Sequence, residues 1–278
     1  MGNNPSISSI MIKINRGVEP KDLQFTRNSQ LNILRGLAGA PLSKQIVGYA
    51  ACGEHLWRAQ HYKCCYCETK VPKSYNDVEH YRPKAEADRK PGSHDAHGYW
   101  WLAFNWENLL FACPGCNRSG KNSRFPLAAG SVALKAEESP PGNEKPLLID
   151  PSTTNPVEHI QYVRSALGNR YWWARPRNGS QIGNETISVC DLNRNELLEL
   201  RSDYICNSVT PRVDVLTKYI NLGDKASCKN EFLAAVRLLE PTNPYVGLTY
   251  DVLTQLVPNN KLIDACNCSW PVVQSIGR

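Results

Sequence analysis

The chain reads CCYC at residues 64–67 and CPGC at residues 113–116, so that each stretch holds two cysteines with two residues between them. That spacing lets both thiolates reach one metal ion from a single tight turn. Two such turns supply the four sulfur ligands of a closed tetrahedral site, which stabilises a fold and leaves no position open for chemistry. The pattern therefore predicts a structural Zn²⁺ bound by Cys64, Cys67, Cys113 and Cys116.

The composition is that of a soluble globular protein. The chain has 278 residues, of which 41% are hydrophobic and 21% are charged, and this length suffices for one large or two modest domains. It contains no run of about 20 apolar residues, the length of a membrane span. Its first residues lack the basic and apolar parts of a secretory signal. We therefore expect a cytoplasmic protein without a membrane partner, whose other seven cysteines are buried or free thiols.

Positive charge is concentrated around the two cysteine pairs. The formal net charge is +6, and the segment from Arg58 to Lys135 holds 12 Lys and Arg against 7 Asp and Glu. A surface that binds phosphate groups requires such an excess. An ordinary solvated face gives the same signal, so charge alone leaves both interpretations open.

Apolar spacing and turn residues predict the elements around the first cysteine pair. A helix is expected from Ser43 to Tyr62, with Ser43 as its N-cap. A β-hairpin is expected from Val71 to Pro83, with its bend at residues 74–77 and His80 on the return strand. The polar segment 84–97 contains Pro and Gly and predicts an exposed loop.

The rest of the chain predicts an α+β protein with a helical C-terminal region. Short apolar runs between residues 146 and 190 indicate a few strands, with residues 147–149, 171–173 and 186–189 as candidates. Helical spacing begins at Asn193. Residues 1–10 are expected to be unstructured, with Met11 as a candidate natural start. The predicted division is an N-terminal segment with a helix (1–57), a zinc-stapled core (58–130), a linker with short strands (131–192) and a helical region (193–278).

Two residues between the cysteine pairs suit the hydrolysis of a phosphodiester. That reaction needs a deprotonated nucleophile, neutralised charge on the phosphate and help for the leaving oxygen. His80 is the candidate general base, because a neutral imidazole accepts a proton from an attacking water; a buried structural histidine is the alternative. Glu79 is a candidate ligand of a catalytic divalent ion, or else a surface glutamate. Neighbouring side chains of a strand point to opposite faces, so Glu79 and His80 share one site only at a bend or at the strand's edge.

Two asparagines are further candidates. Asn117 directly follows the last cysteine and is a candidate second ligand of the divalent ion, with helix capping as the alternative. Asn108 is a candidate for orienting the loop that bears His80 through amide hydrogen bonds, or else a plain turn residue. The candidate phosphate contacts are Arg82, Arg118 and Lys121.

Other histidines and aromatic residues carry weaker signals. His94 and His97 have a spacing that can bind metal, but they lie in the predicted loop and are expected to be exposed. Trp100, Trp101 and Trp106 suit stacking on bases, although an apolar run of this kind is more typical of a core.

Taken together, these motifs resemble those of the zinc-bearing HNH endonucleases. The resemblance is carried by CCYCE at residues 64–68, EHYRP at 79–83, WENL at 106–109 and CPGCN at 113–117. It implies a ββα-metal core with a structural zinc, a histidine base, and an acid and an asparagine on a Mg²⁺ or Mn²⁺ ion. Two positions depart from the family pattern, since Glu79 stands where Asp is usual and Asn117 where other members carry His.

Further motifs resemble the PtuB-type HNH effectors of Septu and retron anti-phage systems. They are MIKI at residues 11–14, YWWLA at 99–103, RFPL at 124–127, PLLIDP at 146–151 and DLNR at 191–194. The resemblance implies a toxic nuclease beside a PtuA-like ATPase of the ABC or SMC type, joined in retrons by a reverse transcriptase and its RNA-linked DNA. The implied substrate is DNA or RNA, with tRNA as one candidate.

Two other interpretations stay open. A stand-alone restriction-type HNH endonuclease would need a sequence-reading domain, which no motif indicates. A zinc-ribbon adaptor for nucleic acid or protein would carry the same four cysteines, with Glu79, His80 and Asn117 incidental.

Overall fold

A computed structural model describes residues 13–75, 77–90, 93–165 and 170–273. Residues 1–10, Met11 as a candidate start and Asn76 in the predicted bend lie outside the described residues. The chain divides into two compact units. The first is formed by Ile14–Thr154 with Gly179–Leu192, and the second by the described residues of Met1–Lys13, Asn155–Asn178 and Asn193–Arg278. The four-part division expected from the sequence stays a prediction.

The first unit contains helices and small antiparallel sheets. Its helices are Lys21–Arg35 (α1), Gly53–Ala59 (α2) and Gln181–Val189 (α3). Its strands are Asp77–His80 (β1), Ala87–Lys90 (β2), Ser93–Asp95 (β3) and Leu109–Ala112 (β4). β1 pairs antiparallel with β4, and β2 pairs antiparallel with β3. A short π-helical segment, Gly115–Lys121, follows β4.

The second unit combines a β-hairpin with helices. The hairpin strands are Ile160–Arg164 (β5) and Trp172–Pro176 (β6). The helices are Asn195–Tyr204 (α4), Thr210–Leu222 (α5), Lys225–Val236 (α6), Val246–Leu256 (α7) and Asn259–Cys266 (α8), and a π-helical segment, Ile205–Val209, joins α4 to α5. The α+β class is confirmed. Among the described residues, no helix combines the length and apolar character of a membrane span.

The predicted helix from Ser43 to Tyr62 is wrong in its first half. Short 3-10 turns at Ser43–Gln45 and Tyr49–Cys52 precede α2. Gly48 between them has a φ of 94°, a left-handed conformation that interrupts a right-handed helix. Ser43 therefore lies inside a turn and is not an N-cap.

Two predictions about pairing are also wrong. His80 does lie on a strand, but that strand pairs with β4 and not with a partner inside residues 71–83. The segment expected to be a loop, residues 84–97, contains β2 and β3. A short polar sequence carries little information on a distant or bulged partner, and the pairing of β2 with β3 is irregular between Asp88 and Lys90.

The strand prediction for residues 146–190 is right in one part and wrong in another. The apolar run at 171–173 overlaps β6, whereas residues 186–189 belong to α3. The Ser180 side chain accepts a hydrogen bond from the Gly183 N–H and caps α3. A short apolar run fits a buried helix as well as a strand, and this capping serine was the signal that favoured a helix.

Candidate metal centres and active-site cavity

The four predicted zinc ligands come together in the first unit. Their sulfur atoms lie within 4.8 Å of one another, and all four cysteines are buried. The Sγ atoms of Cys67 and Cys113 are 3.8 Å apart. Sulfur ligands in a tetrahedron around zinc, each at about 2.3 Å from the ion, are about 3.8 Å apart. The chemistry and spacing of these donors therefore fit one structural metal ion such as Zn²⁺.

Two tight turns present these cysteines. In the first turn, the Glu68 N–H donates to the Cys64 carbonyl at 3.1 Å, and Glu68 has a positive φ of 59°. In the second turn, the Cys116 N–H donates to the Cys113 carbonyl, also at 3.1 Å. Each turn brings its two thiols to the same side, as the CxxC spacing predicts.

A buried glutamine ties the first cysteine turn to β4. The Gln60 Nε2 donates to the carbonyls of Phe111 and Lys63 at 2.8 and 3.0 Å. The Phe111 N–H donates to the Gln60 Oε1 at 2.8 Å. Sequence reasoning missed this residue, because a single glutamine outside any motif gives no signal of its contacts.

His80 is buried at the end of β1 with one ring nitrogen fixed. Its Nε2 lies 3.0 Å from the Ala103 carbonyl oxygen. A carbonyl only accepts, so Nε2 carries the proton and Nδ1 keeps its lone pair. The Tyr49 ring packs edge-on against the imidazole, with 4.5 Å between centroids. Burial, together with the charge of Lys84, lowers the pKa of His80 to about 3, so the imidazole is neutral near pH 7.

Glu79 forms a buried ion pair with Lys121. The Lys121 Nζ lies 2.7 Å from the Glu79 Oε1, and the two side chains are 0% and 3% exposed, respectively. The same Nζ donates to the His80 carbonyl at 2.8 Å, and the Tyr66 hydroxyl donates to Glu79 at 3.4 Å. Burial raises the pKa of Glu79, and the Lys121 charge opposes that shift. Lys121 therefore lies in the interior and not on a surface that meets phosphate.

Asn108 binds the backbone of two segments near His80. Its Oδ1 accepts from the Arg82 N–H at 2.8 Å, and its Nδ2 donates to the carbonyls of Arg82 and Leu102 at 3.0 and 3.1 Å. Arg82 follows His80 by two positions, and Leu102 precedes the Ala103 whose carbonyl binds the imidazole. Asn108 thus links the backbone after His80 to the backbone before Ala103, and its role in orienting His80 stays a prediction.

Asp77, at the start of β1, contacts two of the candidate residues. The Asn117 Nδ2 donates to the Asp77 Oδ2 at 3.2 Å. The Arg118 guanidinium donates to both carboxylate oxygens, at 2.6 and 2.7 Å. Sequence reasoning missed Asp77, which was assigned only to the predicted bend.

A cavity of about 740 Å³ opens beside β1, and all four residues of that strand line it. Side chains of a strand alternate between faces, so a cavity that meets all four lies along the strand's edge. This meets the condition under which Glu79 and His80 share one site. The cavity also brings in Asn117 and Arg118 together with a cation that the sequence analysis did not select, Lys84.

The remaining candidates lie elsewhere in the first unit. Arg82 does not line this cavity; its Nε donates to the buried Glu144 at 2.8 Å, and its guanidinium stacks on the rings of Tyr81 and Phe125. His94 pairs with Asp88 at 2.7 Å. His97 is exposed and is not part of the cavity lining. The tryptophans are core residues and not stacking platforms, since all three are buried: Trp100, Trp101 and Trp106.

The described residues thus form an α+β protein in which a buried four-cysteine cluster fits a structural metal ion such as Zn²⁺, and in which His80 lines a cavity. Sequence comparison relates the chain to Septu protein PtuB of Bacillus mycoides (strain KBAB4), with 34% identity over 156 residues, 55% of this chain and 50% of that protein. Septu protein PtuB of Bacillus thuringiensis is 27% identical over 166 residues, 59% of this chain and 45% of that protein. The chain thus spans about half the length of these relatives. The resemblance to PtuB-type proteins expected from the motifs is confirmed.

A third relative bears the name of a different Septu protein. Septu protein PtuA of Bacillus mycoides (strain KBAB4) is 30% identical to this chain over 141 residues, 50% of this chain and 19% of that protein. The similarity is confined to a small part of that longer protein. No protein-family model matches the chain, and no solved structure matches it.

Proposed function

We propose that the chain is a metal-dependent HNH endonuclease that hydrolyses phosphodiester bonds as the effector of an anti-phage system of the Septu or retron type. The observation that carries the proposal is the state of His80. Its Nε2 is engaged with the Ala103 carbonyl, and His80 lines a cavity together with Asn117, the residue that follows Cys116. A histidine in this tautomer leaves Nδ1 available as a proton acceptor.

The proposed chemistry starts with a water in the cavity, whose proton Nδ1 of His80 accepts as the water attacks the phosphorus. Burial and, after it, the positive charges of Lys84 and Lys121 lower the pKa of His80. An anionic phosphate entering the cavity opposes these charges and makes the imidazole a stronger base. Arg118, exposed at the cavity, contacts the phosphate and offsets its negative charge. Asn108 keeps the imidazole aligned through the backbone of Arg82 and Leu102.

A divalent ion, Mg²⁺ or Mn²⁺, would be held at this cavity by oxygen donors, Asn117 and a carboxylate of β1. Bound there, it would supply positive charge for the scissile phosphate and for the leaving oxygen. Glu79 was the carboxylate expected from the sequence. To bind the ion, it would have to give up its buried partner Lys121.

Relatives named PtuB and PtuA support a place for this chain in a Septu-type system. We propose a PtuA-like ATPase of the ABC or SMC type as its partner, and in a retron context a reverse transcriptase with its RNA-linked DNA. The helical region after Asn193 is the proposed docking surface for the ATPase. The proposed setting is the cytoplasm, and the proposed substrate is DNA or RNA, with tRNA included.

Cleavage assays with a matched pair of histidine variants test the nuclease. The zinc-loaded chain, alone and with a PtuA-like ATPase, is incubated with supercoiled plasmid, total RNA and tRNA in Mg²⁺ or Mn²⁺. His80→Ala is expected to lose cleavage by at least about a hundredfold, the usual contribution of a general base. His97→Ala, an exposed histidine of the same segment, is the control and is expected to cut at the wild-type rate.

Either of two results would overturn the proposal. One is cutting by His80→Ala at the wild-type rate with zinc content and circular dichroism unchanged. The other is an absence of cutting by the wild-type chain on every substrate with the ATPase present, which would favour a zinc-ribbon adaptor.

A further inference from the structure

β1 carries two carboxylates, and the proposed function needs one of them for its divalent ion. Asp77 and Glu79 are two positions apart on the strand, so both point to the same face. Both line the cavity. Their surroundings differ, however, and this difference determines which one is available to a cation.

The Glu79 carboxylate is already neutralised inside the protein. Lys121 Nζ lies 2.7 Å from it, and the Tyr66 hydroxyl and the backbone N–H of His80 also donate to it. Lys121 is 0% exposed, so it has no open path to solvent. A divalent cation bound to Glu79 would lie beside this buried ammonium, and like charges repel strongly where water is excluded. The surroundings of Glu79 therefore do not fit a ligand of the ion.

The Asp77 carboxylate is held by a partner that can leave. Its side chain is 21% exposed, and Arg118, which bridges both of its oxygens, is 70% exposed. Because Arg118 is largely in solvent, releasing it from Asp77 leaves no buried unpaired cation, unlike the release of Lys121 from Glu79. A divalent cation competes for the same oxygens, and a displaced Arg118 remains at the cavity, where it meets a phosphate.

Asn117 completes the arrangement next to Asp77. Its Nδ2 is 3.2 Å from the Asp77 Oδ2. Rotating the amide by half a turn puts the Asn117 Oδ1 beside that carboxylate oxygen, where both oxygens can bind one cation. Carboxylate and amide oxygens, with water in the other positions, are the ligands that Mg²⁺ and Mn²⁺ prefer. The four buried sulfurs suit zinc and do not compete for such a hard cation.

We infer that Asp77 and Asn117 form the cation-binding pair of the cavity, while Glu79 stays with Lys121 as an internal ion pair. The inference rests on the proposed function for the role of the ion, but cation binding itself is measurable without any cleavage. It assigns the metal to a residue two positions before the acid that the HNH motif implies.

Electron paramagnetic resonance of Mn²⁺ titrated into the zinc-loaded full chain tests the assignment. Asp77→Asn is expected to weaken Mn²⁺ binding by about tenfold or more, because affinity for hard cations follows the charge of the ligands. Glu86→Gln removes the same charge from the lining of the same cavity and is expected to leave the affinity unchanged. Asn117→Ala is expected to weaken binding alongside Asp77→Asn.

Glu79 is tested in a background that keeps the interior neutral. Glu79→Gln alone leaves the Lys121 charge buried and unpaired, which destabilises the fold, so the double variant Glu79→Gln/Lys121→Met removes both charges. We expect this variant to bind Mn²⁺ as the wild type does.

Three outcomes would overturn the inference: unchanged Mn²⁺ affinity in Asp77→Asn, loss of affinity in the folded double variant, or no Mn²⁺ binding by the wild-type chain. Failure of the nuclease proposal gives a different result. In that case Mn²⁺ binding still depends on Asp77, but no nucleic acid is cut.

Discussion

The state of His80 follows from what surrounds its ring. The Ala103 carbonyl fixes the tautomer, Tyr49 covers one edge, and burial with the nearby charge of Lys84 lowers the pKa to about 3. The ordinary histidine pKa is about 6.5, so the unfolded chain binds a proton at pH values where the folded chain does not. Stability contributed by the neutral ring is therefore present above about pH 6.5 and is lost progressively as the pH falls toward about 3.

We predict a measurable pH dependence of stability from this single residue. From about pH 7 to about pH 5, His80 is expected to reduce the free energy of unfolding by about 2 kcal/mol. His80→Gln keeps a donor for the Ala103 carbonyl and cannot titrate. Between the two pH values, its unfolding free energy is therefore expected to fall by about 2 kcal/mol less than that of the wild type. Urea unfolding of both chains at the two pH values, without added Mg²⁺ or Mn²⁺, gives the difference. Equal falls in both chains would contradict the assignment, and His97→Gln serves as the control.

Asn108 is the second prediction at the residue scale. Asn108→Ala removes three hydrogen bonds to the backbone, each worth about 1 kcal/mol net. We expect a loss of about 2–4 kcal/mol in unfolding free energy, measured by urea denaturation. If Asn108 positions His80, kcat for cleavage falls while KM stays near the wild-type value, because the substrate does not contact this amide. A fall in stability with kcat unchanged would reduce Asn108 to a structural role.

Among the elements, the two cysteine turns and the β1–β4 pair are held together by the four-cysteine cluster and by Gln60. All four residues of β4 are buried, and Gln60 binds the backbone of Phe111 within that strand. The turns themselves contain few apolar side chains beyond the cysteines. We therefore expect a bound metal ion to supply much of the free energy that orders them.

Replacing one cluster cysteine tests this dependence. Cys67→Ser is expected to lose bound zinc and the near-ultraviolet circular dichroism of the first unit, because the thiolate is a better zinc ligand than a hydroxyl. Cys206→Ser changes an exposed cysteine outside the cluster and is expected to retain one zinc per chain. Zinc content by atomic absorption, before and after a chelator, measures both. A Cys67→Ser chain that folds normally without zinc would refute the structural role of the metal.

At the scale of the whole molecule, the two units are not consecutive along the chain. The β5–β6 hairpin lies before residue 193 in sequence but belongs to the second unit. Asp251 and Gln255 of α7 both bind the backbone of Tyr162 in β5, each at 2.8 Å. Asn193 binds the N–H and the carbonyl of Ala174 in β6.

Truncation after Leu192 is therefore expected to do more than remove a docking surface. Without Asp251 and Gln255, the hairpin loses partners for its buried backbone groups, and we predict rapid proteolysis within residues 160–176. Limited proteolysis with mass spectrometry of the truncated and full-length chains measures this. A hairpin as resistant in the truncated chain as in the intact one would contradict the prediction. Tests of ATPase docking are for this reason better made with exposed point substitutions on the helices after Asn193.

The sequence alone determined the four-cysteine cluster, the α+β class, the place of His80 on a strand and the resemblance to PtuB-type proteins. Each CxxC pair, the strand around His80 and the motifs are local patterns, and the preference of zinc for four thiolates predicts that the two distant pairs meet. Only the tertiary structure decided that β1 pairs with β4, that Lys121 neutralises Glu79, and that Asp77 meets Asn117. Each of these contacts joins residues far apart in sequence, so it depends on strand register and on which charges are buried, and local patterns specify neither.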